Sequence, residues 1–368
     1  MPVPITYFTD FLQNIRLTRS QSNDAKEGHR RLRERLNADE DLSPHIIATF
    51  LQGSYRRSTA IRPQGETKSD VDVVVVTNLS ELDYEPAEAL RMFEPFLERH
   101  YAGKYHPQGR SYGIVLADAE LDLVVTSAPA EAEQNALKAS SSLSEFILDD
   151  TPVAELSEAA ALSARSASSA ATWKLNPLRI PNRETDSWED THPIAQIEWT
   201  INKNATCNKH FVNVVKSLKW WQRLNSEEIP RPRGYPLEHL IGDNCPDGIE
   251  SIEEGIVLTL RSILDAYKAD YEAGTVPNLT DRGTSGNVMH RITGDEFASF
   301  YNRAREASLL AEEAWSTADP CHAINQWRLV FGKKFPPPPS ECEDQGEEGY
   351  TNRNQTTKPQ PARFAIPE

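Results

Sequence analysis

Leu51–Thr59, LQGSYRRST, together with Ser69–Val76, SDVDVVVV, ten residues further along the chain, determines the fold. The run HIIATFLQ before Gly53 is β-branched and aromatic and reads as a strand that stops at the glycine. A second strand, Asp70 to Thr77, carries four consecutive valines, Val73–Val76, the pattern of a strand buried on both faces in mid-sheet. Alternation puts Asp70 and Asp72 on one side of it, starting about 7 Å apart at roughly 3.3 Å per residue, around a space that suits one or two divalent cations. A third acid, Asp122, lies between Leu121 and Leu123 in the later strand ELDLVV. Three inward acids on adjacent strands lose hydration and repel one another, which raises their pKa values, and a bound Mg²⁺ reverses that balance. A lone D-x-D also suits a solvated edge strand. The valine run and the second acid-bearing strand argue for the cation.

The Gly53-Ser54 turn has two readings: an ordinary strand-to-helix turn with serine as N-cap, or a turn whose amides and hydroxyl cradle phosphates. Further out, Asp24 to Leu36 reads as a charged helix and Pro86 to His100 as a helix with proline in its first turn. Tyr112–Ala117 and Glu120–Thr126 read as two strands of a hairpin joined at Asp118-Ala119. From Ser157 to Thr172, twelve of sixteen residues are Ala or Ser, a composition without the bulk for a core, so a flexible insertion is expected near 130–172. After Trp173, helical spacing recurs in Ile194–Lys203, Cys207–Leu224, Tyr235–Ile241, Ser251–Tyr271, Asp295–Trp315 and Ala323–Phe331. The expected organisation is an N-terminal helical segment over 1–40, an α/β lobe over 41–172, a helical lobe over 173–335 and an exposed, proline-rich tail over 336–368.

A chain of 368 residues suits two packed lobes, and its net charge of −16 disfavours a long nucleic acid as ligand. No apolar run approaches the roughly 20 residues of a membrane span, and the start lacks a signal-peptide pattern, so a cytoplasmic protein is expected. Cys207, Cys245, Cys321 and Cys342 are scattered and read as reduced thiols; Cys207 and His210 form a lone C-x-x-H with no second ligand pair for zinc.

In combination, G-S, D-x-D and the later single Asp resemble the polymerase-β-like nucleotidyltransferases. With KSLKWWQRLN (Lys216–Asn225) and GYPLEHLIG (Gly234–Gly242) added, the chain resembles, over residues 10 to 335, the bacterial cGAS/DncV-like nucleotidyltransferases (CD-NTases) of CBASS anti-phage signalling, clade D. The resemblance implies an α+β fold, a mixed central sheet with helices plus a helical lobe and a cleft between them. It also implies an enzyme that makes a cyclic trinucleotide of A and G from ATP and GTP with release of pyrophosphate. Asp70, Asp72 and Asp122 would hold two Mg²⁺, Asp122 also helping to deprotonate the attacking hydroxyl. Gly53, Ser54, Lys216 and Lys219 would hold the donor triphosphate. Lys216 and Lys219 lie three apart and share a helix face, which is also what a solvated face looks like.

Trp220, Trp221 and His239 read as packing residues. Accessory proteins of ubiquitin-transfer-like or HORMA type are the implied partners of the tail, which otherwise reads as a loose terminus. Two other readings stay open: a nucleotidyltransferase of this fold acting on RNA or a small molecule, for which Arg56, Arg57 and Arg62 could form a local basic groove, and an inactive nucleotide-binding scaffold.

Overall fold

The computed structural model describes residues 3–65, 67–128 and 177–342. The insertion expected near 130–172 and the chain beyond Cys342 lie outside the described residues. Seven strands form one sheet: β1 (Ile46–Gln52), β2 (Ser69–Thr77), β3 (Tyr105–Pro107), β4 (Tyr112–Val115), β5 (Ala119–Ser127), β6 (Leu178–Asn182) and β7 (Ser187–Thr191). Their order is β1-β2-β5-β4-β3, with β6 joining the end of β5 and β7 beyond it. β2 and β5 run parallel and the remaining pairs antiparallel, which makes the sheet mixed. Val73–Val76 are fully buried in β2, as expected of a strand with partners on both edges and cover on both faces.

One face of the sheet is covered by α2 (Arg19–Ala38), α4 (Pro86–Arg91) and α5 (Glu94–Tyr101), whose Leu32, Leu36, Leu90 and Phe96 pack on Val71, Val73 and Leu123. The single helix expected over Pro86–His100 is thus two. Pro95 has no N–H to donate to the preceding turn, so the helix breaks at Met92-Phe93 and restarts with proline in its first turn. The other face packs Phe50, Val74, Val76 and Val124 against Ile180 and Ile194.

The helical lobe comprises α6 (Pro193–Thr206), α7 (Phe211–Leu224), α8 (Tyr235–Asn244), α9 (Ile252–Ala266), α10 (Lys268–Ala273), α11 (Gly294–Ser316) and α12 (Pro320–Phe331). It begins at Pro193 rather than at 173, because residues 178–191 form the β6–β7 hairpin of the sheet. The helix expected over Ser251–Tyr271 is divided at Tyr267 into α9 and α10. The first helix, α1 (Ile5–Ile15), packs into this lobe, with Phe8 and Phe11 against Trp327, Phe331 and Phe335. The N-terminal segment therefore serves both lobes, α1 the helical one and α2 the sheet.

One expectation fails outright. Cys321 and Cys342 form a disulfide, with Cα atoms 5.6 Å apart, while Cys207 and Cys245 are free and buried. After α12 the chain turns at Gly332, runs through Pro336–Pro339 and returns to the first turn of the same helix, which brings the two thiols together.

Candidate active site

The site is built where β2 and β5 run side by side. Asp72 pairs in register with Asp122, and Asp70 with Glu120, so four acids occupy adjacent positions on two parallel strands. Gly53 follows β1 at φ +71, and a Cβ there would overlap the Asp72 carboxylate. Glycine is needed on both counts: left-handed backbone and the close approach of the acid. The short helix α3 (Gly53–Arg56) has Gln52 at its N-cap with no side-chain cap, so Ser54 is not the cap expected of an ordinary turn. The Ser54 carbonyl accepts from the Thr59 and Ala60 amides at 2.9 and 3.0 Å, whereas its hydroxyl has no protein partner among the described residues.

Asp70 opens to solvent, and Asp72 and Asp122 are half-buried. Loss of hydration, then the charges of Asp72, Asp122 and Glu120, push Asp70 up to about 8, against a smaller opposing pull from Lys219. Burial and Asp72 push Asp122 up to about 7, although Gln108 Nε2 donates to Asp122 Oδ1 at 3.1 Å. Burial also raises Asp72, against the nearby Arg57 guanidinium. Carboxylates raised together on one surface form a hard, all-oxygen donor set short of positive charge, which fits magnesium. Among the described residues no group of three or more His, Cys, Asp or Glu side chains stands close enough together to hold a metal ion by itself. An open set also suits magnesium, which keeps positions for water and phosphate oxygens.

Asp72 and Asp122 face an open cleft of about 920 Å³ between the lobes, with Gln52, Gly53 and Arg57 on the same wall. The opposite wall carries Arg231, Arg233, Tyr235, His290 and Arg291 from the helical lobe. Asp70, Ser54, Lys216 and Lys219 lie outside this lining, and the charge of Lys219 reaches Asp70. The two lysines differ. Lys219 Nζ donates to Glu238 Oε1 at 2.8 Å. Lys216 is 6% exposed and has no acidic partner among the described residues; burial first, then Arg16 and Lys219, lower its pKa to about 7.

Arg56, Arg57 and Arg62 do not form the basic groove considered above. Arg56 is buried, Arg57 is buried against Glu238, and Arg62 donates to the carbonyls of Arg16 and Gln13. Trp220 and Trp221 are buried in the helical core, and His239 is buried between the Thr280 carbonyl and Asp243. Three participants had no assigned part in the sequence reading: Gln108 on Asp122, the 281–292 loop with Arg291 in the cleft wall, and Glu238. Only Glu238 left a trace, an acid between two leucines in YPLEHL.

The Second Messenger Oligonucleotide or Dinucleotide Synthetase domain matches residues 1–132. The chain is 41% identical to the cyclic AMP-AMP-GMP synthase of Enterobacter hormaechei subsp. hoffmannii, across 97% of this chain and 98% of that protein. It is also 41% identical to a probable cyclic AMP-AMP-GMP nucleotide synthase of Salmonella paratyphi B, with the same coverage. The fold is similar to that of Escherichia coli MS115-1 CdnC, solved with a HORMA protein, at TM-score 0.64 and 15% identity over 91% of this chain and 99% of that one. With that identity sustained along its length, the chain belongs to the CD-NTase family of CBASS, the nucleotidyltransferases that make cyclic oligonucleotides from ATP and GTP.

Proposed function

We propose that this enzyme joins two adenylates and one guanylate into cyclic AMP-AMP-GMP, using magnesium held by Asp70, Asp72 and Asp122. The observation that carries the reading is the in-register pairing of Asp72 with Asp122 beside the Gly53 turn, in a chain 41% identical to a named cyclic AMP-AMP-GMP synthase. Two magnesium ions, when bound, supply positive charge against the reacting α-phosphate and lower the pKa of the attacking hydroxyl.

The protein's own groups supply the rest. Asp122 is the carboxylate set to accept a proton from the attacking ribose hydroxyl, and Gln108 Nε2, donating to its Oδ1 at 3.1 Å, fixes the orientation of that carboxylate. The Ser54 hydroxyl, the amides around Gly53 and the Lys219 ammonium bind the donor triphosphate. Lys216, buried on the same helix as Lys219 with its pKa lowered by burial, is a cation that an arriving triphosphate would fully charge. The cleft holds the acceptor against the donor, so that proximity lowers much of the barrier.

A cytoplasmic reaction is proposed, because that is where ATP and GTP are supplied. Among the described residues no helix is long and apolar enough to cross a membrane. A HORMA-type or ubiquitin-transfer-like protein acting on the C-terminal tail is the proposed partner, by analogy with the neighbour solved with a HORMA protein. Deletion of residues 343–368, which spares Cys342, is expected to leave basal synthesis intact and to remove the response to that partner.

The test is incubation with ATP, GTP and Mg²⁺, followed by phosphatase and mass analysis. A phosphatase-resistant product with the mass of cyclic AMP-AMP-GMP is expected. A linear, phosphatase-sensitive product or no product overturns the reading.

A further inference from the structure

Glu238 lies in the first turn of α8 with a side chain only 7% exposed, and its two oxygens accept from three donors on two other segments. Lys219 Nζ, on α7, donates to Oε1 at 2.8 Å; Arg57 Nε and Thr59 Oγ1, both just past α3, donate to Oε2 at 3.2 and 2.9 Å. Tyr235, one turn earlier in α8, places its ring 5.2 Å from the Arg57 guanidinium carbon. The helical lobe thus grips the segment that carries the Gly53-Ser54 turn through one buried acid. We propose that Glu238 is a positioning residue that holds the Lys219 ammonium in register with the Gly53–Ser54 turn and Asp70, using Arg57 and Thr59 as its anchor on the sheet lobe. This rests on the reading of Lys219 as a ligand of the donor triphosphate.

The physical case has three parts. A lysine ammonium on a four-carbon stem samples many positions, and a buried ionic hydrogen bond selects one of them. The acid carries one negative charge against two cations, so the cluster keeps a net positive charge facing Asp70 and Asp72. The carboxylate is firmly ionised, since Lys219, Arg57 and the Thr59 hydrogen bond overcome burial and hold it down near about 2. It therefore keeps its grip at any working pH.

The test measures KM for ATP and kcat by pyrophosphate release at saturating GTP and Mg²⁺, with thermal melts alongside. Glu238→Gln is expected to raise KM for ATP about tenfold, the ammonium being no longer fixed, and Thr59→Val about threefold by loosening the anchor. In a Lys219→Met background, Glu238→Gln should change KM by less than about twofold, because the residue it acts through is gone. If Glu238→Gln does not fold, Glu238→Asp decides: it keeps the charge but falls one methylene short, and a folded protein with raised KM supports the proposal. A variant at 238 that lowers the melting temperature and leaves KM for ATP parental overturns it. So does an undiminished tenfold effect in the Lys219→Met background. A parental KM in Lys219→Met itself removes Lys219 from the triphosphate and takes the inference with it, while the proposed product is judged separately by the mass of what the parent enzyme makes.

Discussion

A cluster of acids on the sheet and a single acid on α8, both within reach of the Arg57 charge, behave in opposite ways. On the sheet, loss of hydration and then the crowding of like charges push Asp70 and Asp122 up to about 8 and about 7. On α8, Glu238 is more deeply buried and yet held near about 2, because two cations and a hydroxyl complete its coordination. Asp122 is half-buried and Glu238 buried, while Asp70 opens to solvent; what separates the two cases is the balance of charge. A buried carboxylate with its partners present is a brace between elements, whereas a cluster of carboxylates without them is a place for a cation that the fold does not supply.

Breaking the first group should have the largest effect. Asp70→Asn with Asp72→Asn is expected to abolish synthesis, a loss of at least about 10³-fold if several kcal/mol of transition-state stabilisation disappears. Its melting temperature without metal should be unchanged or higher, since neutral side chains no longer repel. Product formation and a melt on the same preparation check both halves.

Lys216 sharpens the contrast, as a buried cation with no acid beside it. Its folded pKa of about 7 lies below the ordinary 10.5, so between these values the unfolded chain binds more protons and stability rises with pH. Lys216→Met should remove that rise and stabilise the protein at neutral pH by on the order of a few kcal/mol, read from denaturant midpoints at pH 7 and pH 9. Equal midpoint shifts of parent and variant across that window would contradict it.

Lys219→Ala should weaken ATP use by roughly 1.5–3 kcal/mol, seen in KM more than in kcat, if one ionic hydrogen bond to phosphate is lost. The smallest effect is thermodynamic linkage. Magnesium at ten times its dissociation constant should stabilise the parent by about 1.4 kcal/mol and leave the Asp70→Asn/Asp72→Asn variant unmoved, as a melt with and without EDTA will show.

Much of the sheet could be read from residue order, because β2 and its acids obey a period of two and β5 repeats the pattern. Most helices of the second lobe were legible through three- and four-residue spacing, although the break at Tyr267 was not. The β6–β7 hairpin was not: LRIPN and SWEDT are short, polar and interrupted by Pro181, so no periodicity distinguishes them from loop. The separate destinations of α1 and α2 depend on long-range packing against Phe331 and Phe335, more than three hundred residues away. At the site, the carboxylates were legible and their electrostatic partners were not. That Arg57 and Lys219 meet on one acid requires segments 181 and 19 residues from Glu238 to converge, which no local pattern encodes.

The bond between Cys321 and Cys342 closes residues 321–342 into a covalent ring containing most of α12 and the proline run. A protease that cuts once inside this ring yields two chains that still migrate together until a reductant is added. A C-terminal affinity tag would likewise retain the whole nicked protein, so the integrity of any preparation should be judged on a reducing gel.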